Sequence, residues 1–354
     1  MARWLQSDVL KIFLYVAGSL TLAAWISPWL YNVGMGLAEV TEGKETNGVI
    51  AWLGEHARRS KDNFPRFFDR SFLLASVVLL FPLLSWLKMG RGSGSYRDTP
   101  WSLRLPDSVV AMNRGQALRR NPSGLSQALI GFFVAAGLLL VAGWLMLQAG
   151  IFMWRDAAVS TGGVPNPLLM EIDWGKAFRK ALPTALVVAT LEEVLFRGVL
   201  LGIFLRAMRP APAIATLSFL FAFVHFLEPP VGVRVPDPEA ADAGFVLLGQ
   251  IFSRFADPFS MLGRFLVLAS VGVVLAIARW RTASLWLPIG LHAGWVFSHV
   301  IFKSATWPVA GLPELVRWFV GASLLEGLLP LTIMVITGIV VAMLTRVPDE
   351  GEKV

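Results

Sequence analysis

Eight stretches of the chain carry almost nothing but apolar side chains, at roughly 12–36, 71–88, 128–150, 181–206, 211–229, 261–279, 282–303 and 320–345. Each approaches the ~20 residues that a helix needs to cross ~30 Å of hydrocarbon. A backbone in lipid must satisfy its own hydrogen bonds, so each stretch is expected to be a helix. Composition agrees: 55% of residues are hydrophobic and only 16% charged, where a soluble domain carries roughly 25% charge. The expected fold is all-α, a polytopic membrane helix bundle of about eight transmembrane helices.

Charge placement gives an orientation. Between Lys88 and Gly124 the chain holds Arg91, Arg97, Arg104, Arg114, Arg119 and Arg120 against Asp98 and Asp107. The turns holding Arg206 with Arg209, and Arg279 with Arg281, are also basic and fall on the same side of an eight-helix path. The positive-inside rule then puts these loops and both termini in the cytoplasm. The same loops account for the net charge of +7, and no basic, aromatic-interleaved soluble domain is present to hold nucleic acid. The expected partners are membrane lipid and a membrane-associated protein substrate, in an integral membrane protein of the cell (inner) membrane.

The expected organisation is 1–127 for the first two helices and basic loop, 128–345 for the bundle with its core at about 180–303, and 346–354 for a polar tail. The stretch from Ile12 reads as an uncleaved first helix, since it is long enough to span and no clear cleavage site follows. Residues 47–70 are read as an amphipathic surface helix. Residues 231–260 are read as a surface loop, with an interfacial or lid segment at Phe245–Phe252 as the alternative. There is no cysteine, which removes thiolate nucleophiles, disulfides and Cys-ligated zinc.

Ionisable groups inside apolar spans cost a few kcal/mol each, so each invites a functional explanation. The densest set is Glu192, Glu193 and Arg197 in the fourth stretch. Glu193 and Arg197 are four apart with the acid first, the favourable order for an ion pair. Glu192 projects about 100° away and is expected to be desolvated without a local cation, which raises a carboxyl pKa toward a general base. Three of the four histidines, His225, His292 and His299, fall in apolar stretches. His299 lies on nearly the same helical face as His292, two turns on.

Glu192-Glu193-x-x-x-Arg197, Phe221-x-x-x-His225 and the later His292 together resemble the three ordered motifs of the CPBP family, also called Abi or type II CAAX-protease-like. The likeness covers about 180–300. It implies an intramembrane endopeptidase with Glu192 activating water, Glu193 and Arg197 organising the site, His225 polarising the water and His292 stabilising the oxyanion. Phe221 and His299 are the expected substrate-binding residues. One position departs: the family's third motif reads His-x-x-x-Asn, and here Val296 stands fourth after His292.

No HExxH pair is present, so the expected cofactor is none, with zinc on Glu192, His225 and His292 as the alternative. Two other functions use the same residues. A proton-coupled transporter would build a relay from buried Glu, His and Arg, but no inverted repeat is visible. A non-catalytic scaffold or immunity protein would keep the bundle and tolerate Val296.

Overall fold

The structure is a computed structural model that describes residues 7–42, 48–61, 63–88, 124–155, 172–230, 232–313, 316, 319 and 323–345. The arginine-rich segment 89–123 and both chain ends, on which the expected orientation rests, lie outside the described residues. The helices are α1 (Asp8–Val40), α2 (Gly48–Arg58), α3 (Phe64–Lys88), α4 (Gly124–Gln148), α5 (Trp174–Glu193), α6 (Leu201–Ala207), α7 (Pro210–Val224), α8 (Ala243–Ser253), α9 (Pro258–Thr282), α10 (Trp286–Ala305) and α11 (Leu328–Leu344). A π-helical segment, Val194–Leu200, joins α5 to α6 without a break.

Among the described residues, four helices are long and apolar enough to cross a membrane: Asp8–Val40, Phe64–Leu87, Gly124–Gln148 and Pro258–Thr282. Shorter apolar helices accompany them. The fold is not purely helical. Strands β1 (Phe152–Trp154) and β2 (Thr306–Pro308) pair antiparallel, with Met153 opposite Trp307. Their segments follow α4 and α10, which pack together, so the two chain exits leave side by side and hydrogen-bond each other.

The chain divides into two compact units, one drawn from Met1–Tyr96 and Phe223–Pro258, the other from Arg97–Ala222 and Phe259–Val354. In the first unit, α1 packs against α2, α3 and α8. Tyr31 meets Phe64 and Phe67 ring to ring, with centroids 5.7 and 5.1 Å apart. Residues 243–253, read from sequence as loop or lid, form a helix whose Ala243, Leu247 and Ile251 are buried in this core. Gly244 sits against the Ala24 carbonyl, and only the missing Cβ lets the backbones approach that closely.

In the second unit, α10 lies between α4 and α5. Its face toward α4 is Gly290, Gly294 and Ser298, four residues apart. A Cβ on Gly290 would run into the Ala128 carbonyl, and one on Gly294 into the Phe132 carbonyl. Ser298 Oγ donates to Gly294 O at 2.8 Å, with Ala136 O at 3.3 Å. This small-residue seam is the membrane route to close helix packing, because lipid supplies little hydrophobic drive between helices. On α5, buried Ala177, Ala181, Ala185 and Ala189 form a second seam. Ala177 and Ala181 meet Ile301, while Ala185 and Ala189 meet Ala293, so α5 and α10 run antiparallel.

Candidate active site

The alanine seam of α5 repeats every four residues, and its next member is Glu193. Continuing the helix face therefore carries that carboxylate, fully buried, toward the part of α10 just beyond Ala293, which is His292. One further turn brings Arg197. The seam that packs the two helices is what delivers the charged pair inward.

Glu193 Oε1 accepts from Arg197 Nη1 at 2.7 Å and lies 2.8 Å from His292 Nδ1. The Glu193 and Arg197 side chains are both 0% exposed. A carboxylate held by a guanidinium is an acceptor only, so Nδ1 carries the proton and donates to it. The other ring nitrogen, Nε2, then faces Glu192, whose Oε2 is 3.9 Å away. That separation is too long for a direct hydrogen bond and fits a shared third partner. Glu192 is also the accessible member, with 28% of its side chain exposed against 8% for His292.

The helical angle between residues 192 and 193 suggests separate tasks. Instead, the imidazole stands between the two carboxylates and presents one nitrogen to each. Glu192 also does not stand alone, since the Glu193–His292–Arg197 cluster adjoins it.

Arg197 is held on its other sides as well. Its guanidinium carbon lies 4.3 Å from the Phe221 ring centroid, and Nη2 donates to the Gly272 carbonyl at 3.4 Å. Phe221 also meets the His292 ring edge-on at 6.1 Å and Phe196 at 5.1 Å. It packs against both the arginine and the imidazole and is 1% exposed. The π segment sets this arrangement: its i→i+5 bonding widens the helix at Arg197, and Arg279 Nε donates to the Arg197 carbonyl at 3.4 Å. Arg279, read from sequence as a cytoplasmic-turn residue, is in fact buried at 3% exposure.

His225 is the first residue past α7, which ends at Val224 rather than running to 229, and it belongs to the first unit. Pro229 and Pro230 follow closely, and the residue before a proline disfavours the helical region. His299 faces a cavity with Lys176, Lys180 and Lys303, two turns along α10 from His292. Val296 packs with Ala185, Ala189 and Ala293. One group escaped the sequence reading altogether: Trp295, 3% exposed, has a buried indole N–H with no acceptor among the described residues. It lies three residues beyond His292. Nothing in a lone tryptophan within an apolar run signals this.

Among the described residues, no three His, Asp or Glu side chains are arranged to hold a metal ion. Glu193 and His292 Nδ1 already spend their facing atoms on each other.

Residues 174–298 match the model of the family described as type II CAAX prenyl endopeptidase Rce1-like. That segment is Rce1-like. It contains Glu192, Glu193, Arg197, Phe221, His225 and His292, and the chain is an integral membrane protein. No curated protein and no solved structure matches the chain.

Proposed function

We propose that the chain is an intramembrane endopeptidase hydrolysing a peptide bond in a membrane-associated protein substrate, CAAX-like or lipid-modified, with Glu192 activating water. The observation that carries this reading is the His292 imidazole fixed by Glu193 on one side and turned toward the more accessible Glu192 on the other. It lies inside the Rce1-like segment.

A water between Glu192 Oε2 and His292 Nε2 would donate one hydrogen to each. Its lone pair is then left for the scissile carbonyl carbon. Attack forms the C–O bond as Glu192 accepts the proton. Collapse breaks the C–N bond and returns the proton to the leaving amine, so atoms and charge balance. Glu193 and Arg197 act as positioning residues: they hold the Nδ1–H tautomer and favour any positive charge the ring gains. The family resemblance gives His292 an oxyanion role. The Nδ1–Glu193 contact favours Nε2 as an acceptor first, becoming a donor once protonated. His225 takes its water-polarising role from the resemblance alone. The enzyme would be a glutamate-type peptidase of the cell (inner) membrane, working without a cofactor.

The test uses the purified chain in detergent with a library of membrane-anchored peptides, cleavage being read by mass spectrometry. The reading expects cleavage that survives a chelator and is lost in His225→Ala. Loss on chelation would move it to a metal mechanism using Glu192, His225 and His292. A second reading, a non-catalytic scaffold of the same fold, is favoured by Val296 in its apolar cluster, which offers no donor where the family has Asn. It expects no cleavage from any peptide.

A further inference from the structure

A second polar concavity lies in the same unit, well away from the paired carboxylates. It is a cavity of about 770 Å³ where the start of α5 meets the end of α10. Among the described residues it is lined by the cations Arg155, Lys176, Lys180 and Lys303, with His299 and one carboxylate, that of Asp173. That carboxylate is already engaged, accepting from the Lys176 backbone N–H at 2.8 Å as the N-cap of α5. Among the described residues no ion pair joins any of the three lysines to an acid. Arg155 donates through Nη2 to the Lys303 carbonyl at 2.8 Å, and its buried Nε has no acceptor among the described residues. Mutual repulsion makes such a cluster costly unless an anion shares it.

The surroundings say which anion. Trp154, Trp174 and Trp307 stand about this end of the unit, each 40–44% exposed. Trp154 meets Trp174 at 6.3 Å, and the Arg155 guanidinium lies 4.4 Å over Trp307. Half-exposed tryptophans beside lysine and arginine mark the headgroup level of a bilayer. Below Lys176 and Lys180, on the same face of α5, Val187 and Leu191 form an exposed apolar stripe spaced four residues apart. A basic pocket above an apolar stripe, at the depth of the tryptophans, matches one molecule end to end. We propose that this cavity seats the phosphate of an anionic phospholipid headgroup, with an acyl chain along Val187 and Leu191.

Native mass spectrometry of the full chain, released from detergent with phosphatidylglycerol or phosphatidylcholine, tests this. The expected result is a phosphatidylglycerol adduct that Lys176→Gln/Lys180→Gln/Lys303→Gln weakens by about a hundredfold, taking each lysine near a lipid surface as roughly a factor of five. The single Lys180→Gln and Lys303→Gln variants are expected to weaken it severalfold, which keeps the test decisive if the triple variant does not fold. Equal binding of the two lipids, or phosphatidylglycerol binding untouched by all three variants, overturns the proposal. Inorganic phosphate at millimolar concentration is the third probe. Its binding without any preference for the lipid overturns the lipid assignment.

Discussion

His292 Nδ1 and Glu193 Oε1 lie 2.8 Å apart, and the same oxygen receives Arg197 Nη1 at 2.7 Å. One carboxylate oxygen thus holds both the imidazole and the guanidinium, and all three groups are closed off from solvent or nearly so. Taking one partner from a buried charge pair leaves the other uncompensated, typically at ~3–5 kcal/mol. Arg197→Met is therefore expected to lower the detergent unfolding midpoint by several degrees and to abolish cleavage with it. Thermal unfolding followed by circular dichroism measures the first effect. A midpoint unchanged by Arg197→Met would mean that the pair carries no structural weight.

Glu193→Gln separates orientation from charge. The amide keeps a carbonyl oxygen for His292 Nδ1–H but no longer stabilises an imidazolium. Cleavage is expected to fall at least tenfold, and the pH dependence of kcat is expected to change shape. A merely structural role would lower stability and leave the pH profile of the surviving activity as it was.

Restoring the family's asparagine is expected to harm this protein. Val296 is partly buried against Ala185, Ala189 and Ala293, and an amide there would be partly desolvated against apolar neighbours at a cost of about 1 kcal/mol. Val296→Asn should lower the unfolding midpoint and give no gain in cleavage. A faster enzyme of unchanged stability would show that the side chain at 296 reaches the reacting atoms.

The seams predict a steric effect at a distance. Gly290→Ala drives a methyl group into the Ala128 carbonyl, and Ala189→Leu overfills the contact with Ala293. Overpacking of this kind costs about 1–3 kcal/mol. Both variants should lose stability, and both should lose activity by shifting α10 and with it His292. Activity kept at full rate in a destabilised Gly290→Ala would separate the packing from the site.

Much of this was legible in the chain itself. Long apolar runs announce the helices, and charges inside them announce Glu192, Glu193 and Arg197, because lipid makes both patterns costly to produce without cause. The alanine repeat ending at Glu193 was there to read and says which way that carboxylate faces. What stayed hidden depends on contacts between distant segments. The angle between adjacent helical residues separates Glu192 from Glu193, but it does not reveal an imidazole from α10 placed between them. The π segment arises from a shift in backbone pairing that side-chain periodicity does not record. Residues 243–253 read as loop because proline and aspartate precede them, yet Leu247 and Ile251 find a core on α1. Arg279 read as a loop cation because it ends an apolar run, although it turns back to the Arg197 carbonyl.

The most direct test is the cleavage rate of the wild type against Glu192→Gln on one membrane-anchored peptide. The side chain is partly exposed and near isosteric with its replacement, so the fold should keep its unfolding midpoint. A fall of roughly a hundredfold or more in kcat, the usual weight of a general base, is the predicted result. Wild-type speed in the folded variant would contradict the assignment of Glu192 as the group that activates water.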